Sequence, residues 1–528
     1  MTPERLILLY GPPFSGKSSL GRAFAAQTKL PFWDADRLIE ERSGMSIAEI
    51  FSGGGEESFR RQEAQILQEL VGQPEGVVAL GGGALLDKEN RDLVEKKGEV
   101  YLLEAEREVL MERMRSSHTQ RPLLKDSPAE KLHRLLRDRE THYQSFPRRI
   151  STTGKEIEEL VLELETRTGL FFLSGLGEGY PVRIQEGILE EAGEMLRREG
   201  LTGPVIVVSD ENVSALYARG VVGALQAAGY QSGLVVVSPG EASKSVSSLQ
   251  AIWDRFLALG LERGGTVPAL GGGVVGDLAG FAAATIFRGI SWVNLPSSLL
   301  AMVDAAVGGK TGINLSQGKN LVGCFHAPRF VGIDPGVLST LPEDQRRSGM
   351  AEVIKHGMIA DPALWELAAR GPVVFSNQVE ELICRAVAVK AHIVRKDPYE
   401  KHIRQALNFG HTIGHAVEKI SGFQLCHGEA VAVGMVAETY LAELLGLAKT
   451  GLSGELIKVL DRWDLPTRIP GAIGNDEILK VMDFDKKKTR GKVRLALPLE
   501  VGEVRVGLTA EAHQLRAALD CGKRGKHD

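Results

Sequence analysis

The chain has little cysteine, little net charge and no long apolar runs. Its 528 residues include four cysteines, and no two of them form a CxxC pair: Cys324, Cys384, Cys426 and Cys521. Scattered thiols argue against a disulfide framework and are typical of a reducing compartment. Lysine and arginine total 63 against 68 aspartates and glutamates, which leaves a net charge of −5. This balance favours neither nucleic acid nor an anionic membrane as a partner.

No apolar run reaches the length of about 20 residues needed to span a membrane. The first residues, MTPERLILLYGPP, hold an apolar run too short for a signal peptide and lead straight into a glycine-rich loop. We therefore expect a cytoplasmic protein that binds no membrane and no nucleic acid. A chain of 528 residues is too long for one hydrophobic core, so two to four domains are expected.

The first motif joins the apolar run RLILLY to the loop GPPFSGKSS and the helical segment LGRAFAAQ. Gly11, Gly16, Lys17 and Ser18 have Walker A spacing, and strand, glycine loop and helix are the context that this motif requires. The backbone amides of such a loop can surround a phosphate, Lys17 can reach its outer oxygens, and Ser18 can hold Mg²⁺. The alternative is a glycine-rich turn that binds no nucleotide.

Charged and glycine-rich motifs follow in a definite order: Asp34 and Asp36 in FWDAD, Arg60 in FRRQE, LGGG at 80–83, Arg121 in QRPLL, and Arg139 in RDRETHY. The segment GGGEES before FRRQE is expected to be a loop that runs into a helix carrying Arg60. Taken singly, each charged side chain is more often a solvated surface group than part of a site. As an ordered set, with the Walker A loop, they resemble the shikimate kinase family over residues 1 to about 165. The family more often has threonine at Ser18–Ser19, but the hydroxyl is kept.

This resemblance implies a role for each matched residue. Lys17 and Asp36 would be catalytic, Ser18 would ligate Mg²⁺, and Asp34 would organise the ion indirectly. The ATP-binding residues would be Gly11, Gly16, Lys17, Ser18, Ser19 and Arg121. The shikimate-binding residues would be Asp36, Arg60, Gly82 and Arg139. These roles suit phosphoryl transfer, which depends on alignment and charge neutralisation.

The pattern changes character after residue 150. A helical segment, STTGKEIEELVLELETRTG, is followed by FFLSGLGEGYPVRI, whose three polar-flanked glycines indicate a boundary near 166–178. From Tyr180 apolar runs alternate with helical patterns, which predicts a parallel sheet with ligands at the C-terminal ends of its strands. GGGVVGD follows one such run but departs from GxGxxG. From residue 336 onward the pattern is mainly helical. We predict domains at 1–168, 174–335 and 336–520.

The segment 408–429 concentrates three histidines. His411 and His415 are four residues apart and share one face of a helix, while His427 follows a glycine-containing loop. Three imidazoles suggest a divalent metal, with a carboxylate completing the set. The spacing alone favours His411 and His415 binding together. The alternative is that all three are ordinary helix-face or capping histidines. Glu352 lies on an apolar segment, where a carboxylate is costly unless paired or metal-bound.

Residues 180 to about 508 resemble the 3-dehydroquinate synthase family. The ordered motifs are GEASK, LGGGVVGD, LPSSLLAMVDAAVGGKTGIN, GKN, SGMAEVIKHG, RQALNFGHTIGHA, HGEAVAVGM and DKK. The resemblance implies Zn²⁺ or Co²⁺ on Glu352, His411 and His427. It places His415 beside the substrate phosphate as a proton-handling group, which differs from the pairing that the spacing favours.

The same resemblance implies NAD and substrate contacts. The NAD-binding residues would be Asp210, Gly240, Glu241, Lys244, Gly273, Val274, Val275, Gly276, Asp277, Ser297, Ser298, Lys310, Lys319, Val337, Leu338, Ser339 and Thr340. The substrate residues would be Arg288, Asp304, Asn320, Lys355, Lys390, Arg404 and Asn408, with Lys486 or Lys487. Lys310, Lys355 and His415 would be catalytic. The family more often has a threonine pair where this chain has Ser297–Ser298.

The predicted fold class is multidomain α/β: a P-loop kinase with a parallel sheet, a Rossmann-like α/β domain, and a mainly helical metal-binding domain. The implied activities are ATP- and Mg²⁺-dependent 3-phosphorylation of shikimate, and NAD- and metal-dependent cyclisation of 3-deoxy-D-arabino-heptulosonate 7-phosphate to 3-dehydroquinate with phosphate release. A homodimer through the synthase half is expected. The alternatives are a metal-dependent polyol or alcohol dehydrogenase, a cyclase for another sugar phosphate, and a non-catalytic nucleotide-binding module in the first half.

Overall fold

The computed structural model describes residues 6–116, 127–422, 424–488 and 494–524, without the side chains of 483–488 and 524. Arg121 lies outside the described residues, and so do the side chains of Lys486 and Lys487. The chain forms two compact units, Met1–Glu165 and Thr166–Asp528. Within the described ranges, no helix has the length and apolarity that crossing a membrane requires.

The first unit alternates strands with helices. Its elements are β1 (Leu6–Tyr10), α1 (Lys17–Thr28), β2 (Phe32–Asp34), α2 (Ala35–Ser43), α3 (Ile47–Leu70), β3 (Gly76–Ala79), α4 (Lys88–Lys97), β4 (Gly98–Glu104), α5 (Arg107–Ser116), α6 (Pro128–Asp138), α7 (Glu140–Gln144), β5 (Arg149–Ser151) and α8 (Ile157–Thr168), the last of which contains the boundary between the units.

These strands form a parallel sheet in the order β2-β3-β1-β4-β5. Every residue of β1 is buried, as expected for an apolar central strand covered on both faces. The loop after β1 therefore emerges between β3 and β4 at the C-terminal edge of the sheet. Gly11 opens this loop with φ 138°, and a Cβ there would lie 2.2 Å from the Leu103 carbonyl oxygen. Only glycine fits this turn without moving the backbone.

Helix α3 begins earlier than the sequence predicts. The GGGEES segment was expected to be a loop running into a helix, but the helix starts at Ile47 and continues through it. Ser46 and Glu49 form a capping box, in which the Glu49 amide donates to Ser46 Oγ (3.3 Å) and the Ser46 amide donates to Glu49 Oε2 (2.7 Å). The glycines leave only a kink at Gly55, where φ is 70°.

The second unit begins with an α/β part. Its elements are β6 (Leu170–Leu173), β7 (Tyr180–Ile184), α9 (Ala192–Arg198), β8 (Val205–Asp210), α10 (Glu211–Val213), α11 (Arg219–Ala227), β9 (Ser232–Val237), α12 (Val246–Ala258), β10 (Thr266–Gly271), α13 (Gly273–Thr285), β11 (Ser291–Pro296), β12 (Lys310–Leu315), β13 (Gly318–Phe325) and β14 (Val331–Ile333).

Seven of these strands form one sheet in the order β6-β7-β14-β11-β10-β8-β9. All neighbouring pairs are parallel except β6 and β7, which are antiparallel. The predicted domain start at residue 174 leaves out β6, whose residues Leu170, Phe171 and Leu173 are buried. Strands β12 and β13 form a separate antiparallel hairpin that the apolar pattern did not predict.

The rest of the unit is mainly helical. Its elements are α14 (Glu343–Ala360), α15 (Pro362–Ala368), α16 (Val374–Asn377), α17 (Val379–Lys396), α18 (His411–Ile420), α19 (His427–Leu444), α20 (Leu452–Asp461), α21 (Asn475–Lys488), β15 (Leu495–Glu500), β16 (Glu503–Leu508) and α22 (Ala512–Arg524). The hairpin β15–β16 is an addition to the helical domain that the sequence predicts.

Helices α18 and α19 approach each other closely. A Cβ on Gly434 of α19 would lie 1.9 Å from the Gly410 carbonyl oxygen, and one on Gly414 of α18 would lie 2.6 Å from the Ala430 carbonyl oxygen. Backbone therefore contacts backbone at this crossing. The close approach brings the first residue of each helix, His411 and His427, to the same place, with ring centroids 5.4 Å apart.

Candidate active sites

The phosphate loop of the first unit has the predicted strand–loop–helix setting. Gly16 caps α1 without a side-chain hydrogen bond, so the first helical amides remain available to an anion. The buried Lys17 ammonium donates to the carbonyl oxygens of Gly11 and Pro12, at 2.9 Å each. Ser18 and Ser19 lie exposed in the first turn of α1. The loop therefore presents amides, an ammonium and hydroxyls together.

A carboxylate and guanidinium cluster lies at the ends of β2 and β3. Asp34 caps α2 through its own side chain, and Asp36 follows in the first turn of that helix. Arg60 on α3 pairs with Glu63 at 2.5 Å and with the exposed Glu56 at 3.1 Å. Glu63 is buried, and its Oε1 makes no hydrogen bond to described atoms. Burial raises the pKa of Glu63, and Arg60 offsets part of that rise.

The glycines of LGGG let these groups converge. A Cβ on Gly81 would lie 2.5 Å from Glu63 Oε1 and 3.0 Å from an Asp36 oxygen, and one on Gly83 would lie 2.5 Å from Arg60. The predicted residues Asp36 and Arg60 therefore meet at this loop. Glu63 had no predicted role. The sequence did hold a signal for it, because a glutamate three residues after an arginine on a helix lies close enough to form an ion pair.

The carbonyl oxygen of Gly82 accepts hydrogen bonds from the side chains that complete this site. Arg139 and the Tyr143 hydroxyl both donate to it at 2.9 Å. The Tyr10 hydroxyl lies 3.4 Å from the same oxygen and 3.0 Å from His142 Nε2. The family resemblance implied the Gly82 amide as a binding group, whereas here its carbonyl orients Arg139. Arg60 and Arg139 thus both contact the LGGG turn.

The second unit contains a compact cluster of possible metal ligands. Glu352 Oε1 lies 3.5 Å from His411 Nε2 and 3.4 Å from His427 Nε2. One ligand atom from each of these residues falls within 4.8 Å of the others. A second set, His415, Glu418 and His427, meets the same limit. The two sets are neighbours, since the His415 ring lies 5.0 Å from that of His411 and 5.9 Å from that of His427.

A hydrogen bond orients the His411 imidazole, and a contact with a carboxylate orients that of His427. His411 Nδ1 is 3.2 Å from the Phe409 carbonyl oxygen, and His427 Nδ1 is 3.7 Å from Glu418 Oε2. These contacts favour Nδ1–H and turn Nε2 of both rings towards Glu352. Oε1 of the buried Glu352 has no hydrogen-bond donor among the described atoms, whereas Oε2 pairs with the Lys355 ammonium. Buried oxygens of this kind are costly unless a cation contacts them.

Charges around the cluster set the protonation of its members. Burial, and then Lys355, hold the pKa of His411 well below its ordinary value, and burial lowers that of His415. Burial opposes ionisation of Glu352, but Lys355 keeps its pKa well below the usual range. For His427 burial is outweighed by the nearby carboxylates of Glu352 and Glu418, which raise its pKa to about 9. His411 is therefore neutral at pH 7, while His427 is protonated.

Several of the predicted substrate residues form ion pairs, and one of these pairs lies within the cluster itself. Lys390 on α17 donates to Asp304 Oδ1 at 2.5 Å, and Lys355 pairs with Glu352. Although burial raises it, the pKa of Asp304 is held below its ordinary range by Lys390. Lys310 pairs with Glu400, whose other oxygen accepts a hydrogen bond from Asn408 at 3.0 Å. Glu400 was not predicted.

Arg404 and Arg288 have different settings. Arg404 is buried, its NH1 donates to the Pro398 carbonyl oxygen, and its Nε has no partner among described atoms. Arg288 is exposed in the turn after α13, with φ 70°. It makes no hydrogen bond or ion pair with any residue of the described ranges. The structure therefore does not join Arg288 to the other predicted substrate residues.

The predicted NAD residues lie at the C-terminal ends of the central strands. Gly273–Asp277 form the first turns of α13, directly after β10, and the amide of Ser297 after β11 donates to the Gly271 carbonyl oxygen at 2.9 Å. A Cβ on Gly272 would lie 3.5 Å from Ser298 Oγ. Val274, Val275 and Gly276 lie within the α13 turns, and Gly240 opens the loop after β9 with φ 92°.

Lys244 connects several of these segments. Its buried ammonium donates to Asp277 at 2.7 Å and to Asn320 at 2.5 Å, and lies 3.6 Å from Glu241. Asn320, predicted as a substrate residue, therefore lies beside an NAD residue. On the same hairpin Lys319 pairs with Glu418 at 2.6 Å, which links this strand to the histidine cluster.

Two further NAD segments meet through a tyrosine. Asp210 caps α10 by accepting hydrogen bonds from the amides of Asn212 (2.9 Å) and Val213 (3.1 Å). The Tyr217 hydroxyl, further along, lies 2.6 Å from Thr340 Oγ1 and 3.3 Å from the Val337 carbonyl oxygen. Leu338 and Ser339 lie in the same 3₁₀ turn, Pro335–Thr340. Tyr217 was not predicted.

The geometry defines two classes of protein in one chain. The first unit is a P-loop α/β fold, and the second joins an α/β nucleotide-type sheet to a helical cluster of possible metal ligands. Comparison with known families agrees. Residues 13–167 match the model for shikimate kinase, 234–348 that for the N-terminal region of 3-dehydroquinate synthase, and 349–488 that for its C-terminal region.

Named relatives agree as well. A 3-dehydroquinate synthase from Symbiobacterium thermophilum is 41% identical over 357 residues, which is 66% of this chain and 99% of the relative. Among solved structures, 2-epi-5-epi-valiolone synthase from Streptomyces hygroscopicus with NAD⁺ and Zn²⁺ bound is 28% identical, with a TM-score of 0.60 over 64% of this chain and 95% of its own. A 2-deoxy-scyllo-inosose synthase complexed with carbaglucose-6-phosphate, NAD⁺ and Co²⁺ is 26% identical, with a TM-score of 0.60 over 67% of this chain and 100% of its own.

The chain belongs to the 3-dehydroquinate synthase family, and its first unit belongs to the shikimate kinase family. Both family predictions are confirmed, and so is the predicted fold class.

Proposed function

We propose that the chain is a bifunctional enzyme of the shikimate pathway. Its first unit transfers a phosphoryl group from ATP to the 3-hydroxyl of shikimate. Its second unit converts 3-deoxy-D-arabino-heptulosonate 7-phosphate to 3-dehydroquinate and phosphate. The observation that carries the synthase assignment is the convergence of Glu352, His411 and His427 beside the buried ammonium groups of Lys355 and Lys390, which suits an anionic substrate held against a metal.

In the kinase unit, each part of the site has a task. Lys17 exchanges its loop carbonyls for the phosphate oxygens and neutralises their charge. Asp36 accepts the proton of the attacking hydroxyl, while Arg60 and Arg139 bind the carboxylate of shikimate. Ser18 and Asp34 would hold Mg²⁺, which supplies charge neutralisation between the phosphates. Because the LGGG turn fixes both arginines, the substrate hydroxyl is presented to Asp36 in one orientation.

In the synthase unit, the residues fit a divalent metal. His411 and His427 both turn Nε2 towards Oε1 of the buried Glu352, which has no hydrogen-bond donor among the described atoms, while Lys355 pairs with Oε2. A bound Zn²⁺ or Co²⁺ would lower the pKa of a substrate hydroxyl, and NAD⁺ would accept a hydride from the carbon that bears it. Lys310, Lys355, Lys390 and Arg404 bind the substrate anions. The neutral, accessible His415 takes up or returns a proton beside the phosphate.

The assignment of ligands is tested by three single variants. Because His411 and His427 both face Glu352, His411→Ala and His427→Ala are expected to lose bound metal and synthase activity together. His415→Ala should keep the metal and lose rate. Metal analysis of the purified variants decides. Loss of metal in His415→Ala, with retention in His411→Ala, would favour the second set, His415, Glu418 and His427.

One assay tests the whole proposal. The purified chain should release phosphate from the heptulosonate substrate, a chelator should abolish the release, and no NADH should accumulate, because the hydride returns within each turnover. Accumulating NADH would favour a polyol dehydrogenase, and turnover of only another sugar phosphate would favour a different cyclase. Lys17→Ala should cut shikimate phosphorylation by about 10²–10³-fold or more and leave phosphate release unchanged.

We also propose a homodimer through the synthase half and a cytoplasmic location. Strand β13 pairs only with β12 within its sheet, and Leu321, Val322 and Phe325 on it are exposed. An apolar edge strand of this kind favours association with another chain. All four cysteines are free thiols, which suits a reducing compartment. Light scattering of the parent and of Val322→Lys tests the dimer, since a monomeric parent contradicts it.

A further inference from the structure

Glu438 is a buried acid that the proposed mechanism does not use. It lies in the middle of α19, in the apolar run VAVGMVAETYLA, and none of its surface is exposed to solvent. A carboxyl group in such a place is unfavourable unless nearby donors satisfy both of its oxygens. Its neighbours in sequence offer none, because the amides of a helix interior are bonded within the helix.

The partners of Glu438 all lie on another helix. Its Oε2 accepts a hydrogen bond from the Gly410 amide at 2.7 Å, and its Oε1 accepts one from the Ile413 amide at 3.1 Å. The Thr412 amide donates to the same carboxyl group. These amides belong to the start of α18, whose N-cap, Gly410, has no side chain to supply a cap. Glu438 therefore caps α18 from the neighbouring helix.

The capped turn is the one that carries the histidine cluster. His411 is the first residue of α18, between the amides of Gly410 and Thr412, and His415 follows one turn later. The Phe409 carbonyl oxygen that orients His411 Nδ1 directly precedes Gly410. Glu438 itself shares α19 with His427. The carboxyl group thus joins the turn bearing one proposed metal ligand to the helix bearing another.

We propose that Glu438 is a positioning residue that fixes His411 relative to His427 and so determines how tightly the cluster binds its metal. This inference rests on the proposed function, because it takes Glu352, His411 and His427 as the ligands. To hold the start of α18 in this way, the side chain at position 438 must present two acceptor atoms on one rigid group, since each oxygen meets a different amide. Burial raises the pKa of Glu438 to about 8, and a carboxyl oxygen that carries a proton still keeps a lone pair that accepts from an amide. Glutamine has the same shape, but its NH₂ group has no such lone pair and would face a backbone N–H.

The test compares full-length variants at position 438 with a neighbouring control. Glu438→Gln removes one acceptor, Glu438→Asp keeps both but withdraws them by one methylene, and Thr439→Val removes a buried hydroxyl that bonds only within α19, to the Met435 carbonyl oxygen. Zn²⁺ affinity is measured by competition with a chromogenic chelator. The absorption spectrum of the Co²⁺-loaded protein reports coordination geometry. Kinase activity of the same preparation measures the fraction of intact first unit.

Glu438→Gln is expected to weaken Zn²⁺ binding by about 10–100-fold and to alter the Co²⁺ spectrum, as when an outer-shell partner of a ligand is lost. Glu438→Asp should fall between Glu438→Gln and the parent, and Thr439→Val should bind within about twofold of the parent. If Glu438→Gln does not fold, Glu438→Asp decides the question by the same two measurements.

Parental Zn²⁺ affinity and an unchanged Co²⁺ spectrum in Glu438→Asp and in any folded Glu438→Gln would overturn the proposal. Equal weakening in Thr439→Val would overturn it too, because the effect would then come from packing of α19 in general. A parent that binds no metal would refute the metal centre itself, and the role of Glu438 with it. A parent that binds metal while the position 438 variants match it refutes only the role of Glu438.

Discussion

Phe14 carries backbone strain within the phosphate loop. Its φ is 66°, in the left-handed region where a side chain costs about 1–2 kcal/mol. Its ring packs on the cluster of Leu110 from α5 and Leu132 from α6, which holds that conformation in place. Strain that persists at a ligand-binding loop is usually compensated by packing nearby. The side chain thus joins the loop that binds phosphate to two helices of the same unit.

The strain predicts an unusual order of stability at this position. Phe14→Ala removes the packing and keeps the strain, whereas Phe14→Gly removes both. We expect Phe14→Gly to be the more stable of the two by about 1 kcal/mol, the reverse of the order in a helix. The urea midpoint for loss of kinase activity measures this. Ala105 borders the same cluster without a positive φ, so Ala105→Gly should be destabilising. A more stable Phe14→Ala would contradict the strain.

His427 gives the metal-free chain a distinct pH dependence. Its pKa is about 9 in the folded state, against about 6.5 when unfolded. The folded state therefore holds a proton that the unfolded state has lost between these values. The stabilisation is fully present below pH 6.5 and disappears as the pH rises through about 9.

We expect chelator-treated protein to lose stability between pH 6.5 and 9, relative to His427→Asn treated in the same way. Subtracting the variant removes the contribution of the titrating groups that do not interact with His427. Urea midpoints at several pH values measure the difference. The metal-loaded parent should not show this loss, because a ligating imidazole is already neutral. Parallel curves for the chelated parent and variant would show that His427 is not protonated at neutral pH.

Site residues that stand in a sequence motif could be predicted, whereas a residue whose role depends on contacts between distant helices could not. His411, His427 and Glu352 stand in motifs that resemble a known family, and the structure brings them together. Spacing alone would have paired His411 with His415, because helix periodicity relates only residues within a few turns of each other. Glu352 lies 59 residues before His411 and 75 before His427, so periodicity says nothing about it. Glu438 has no motif of its own. Its role depends on the crossing of α18 and α19, which only the folded chain shows.

At the scale of elements, one loop carries several site residues and is held by one aspartate. The buried Asp397 accepts hydrogen bonds from the amides of Lys401 (2.9 Å), His402 (2.6 Å) and Arg404 (3.1 Å). Directly before Lys401, Glu400 adopts φ 58° and its carboxylate pairs with Lys310. The loop thus positions Glu400 and Arg404 through backbone bonds to a residue outside the site.

Asp397→Ala is expected to reduce synthase kcat/KM by about 10–100-fold, since small displacements of positioning groups have effects of this size. The matched control is Asp361→Ala. Asp361 also bonds two amides, those of Ala363 (2.9 Å) and Leu364 (3.1 Å), and pairs with Arg385 at 3.3 Å, but it caps α15, which carries no site residue. The control should lose about 1 kcal/mol of stability and keep its activity. Equal losses of activity would contradict a specific role for the loop.

Elements with strong patterns were predictable, and those without were not. The buried runs of β1 and β8 predicted central parallel strands correctly, because covering both faces leaves a continuous apolar signal. Strand β13 reads GKNLVGCF, exposed along nearly its whole length, and neither alternates nor forms a continuous run. Helix α3 was placed too late, because three glycines obscured a capping box at Ser46 that the sequence did contain.

At the scale of the whole molecule, the two units show no chemical reason for a shared site. The synthase makes an early intermediate of the pathway and the kinase acts several steps later, so neither product is the other's substrate. Each unit has its own sheet and its own set of site residues. Each is also long enough for a core of its own, at 165 and 363 residues. We therefore expect the activities to separate when the chain is divided.

The place of division matters because of β6. This strand pairs along its full length with β7 and buries Leu170, Phe171 and Leu173, and the Phe172 carbonyl oxygen accepts a hydrogen bond from Arg395 at 2.9 Å. Each buried side chain contributes about 1.5–3 kcal/mol, so their sum is comparable with the stability of a typical domain. A piece that starts at residue 174 lacks all of this.

We predict that separate polypeptides 1–168 and 166–528 keep shikimate phosphorylation and dehydroquinate formation within a few-fold of the undivided chain. The piece 174–528 should be insoluble, or melt at least about 10 °C below 166–528. Expression, activity assays and thermal unfolding of the three pieces measure this. Equal melting of 166–528 and 174–528 would mean that β6 adds nothing to the synthase sheet. Loss of activity in both 1–168 and 166–528 would mean that each unit depends on the other, whatever the chemistry of their substrates.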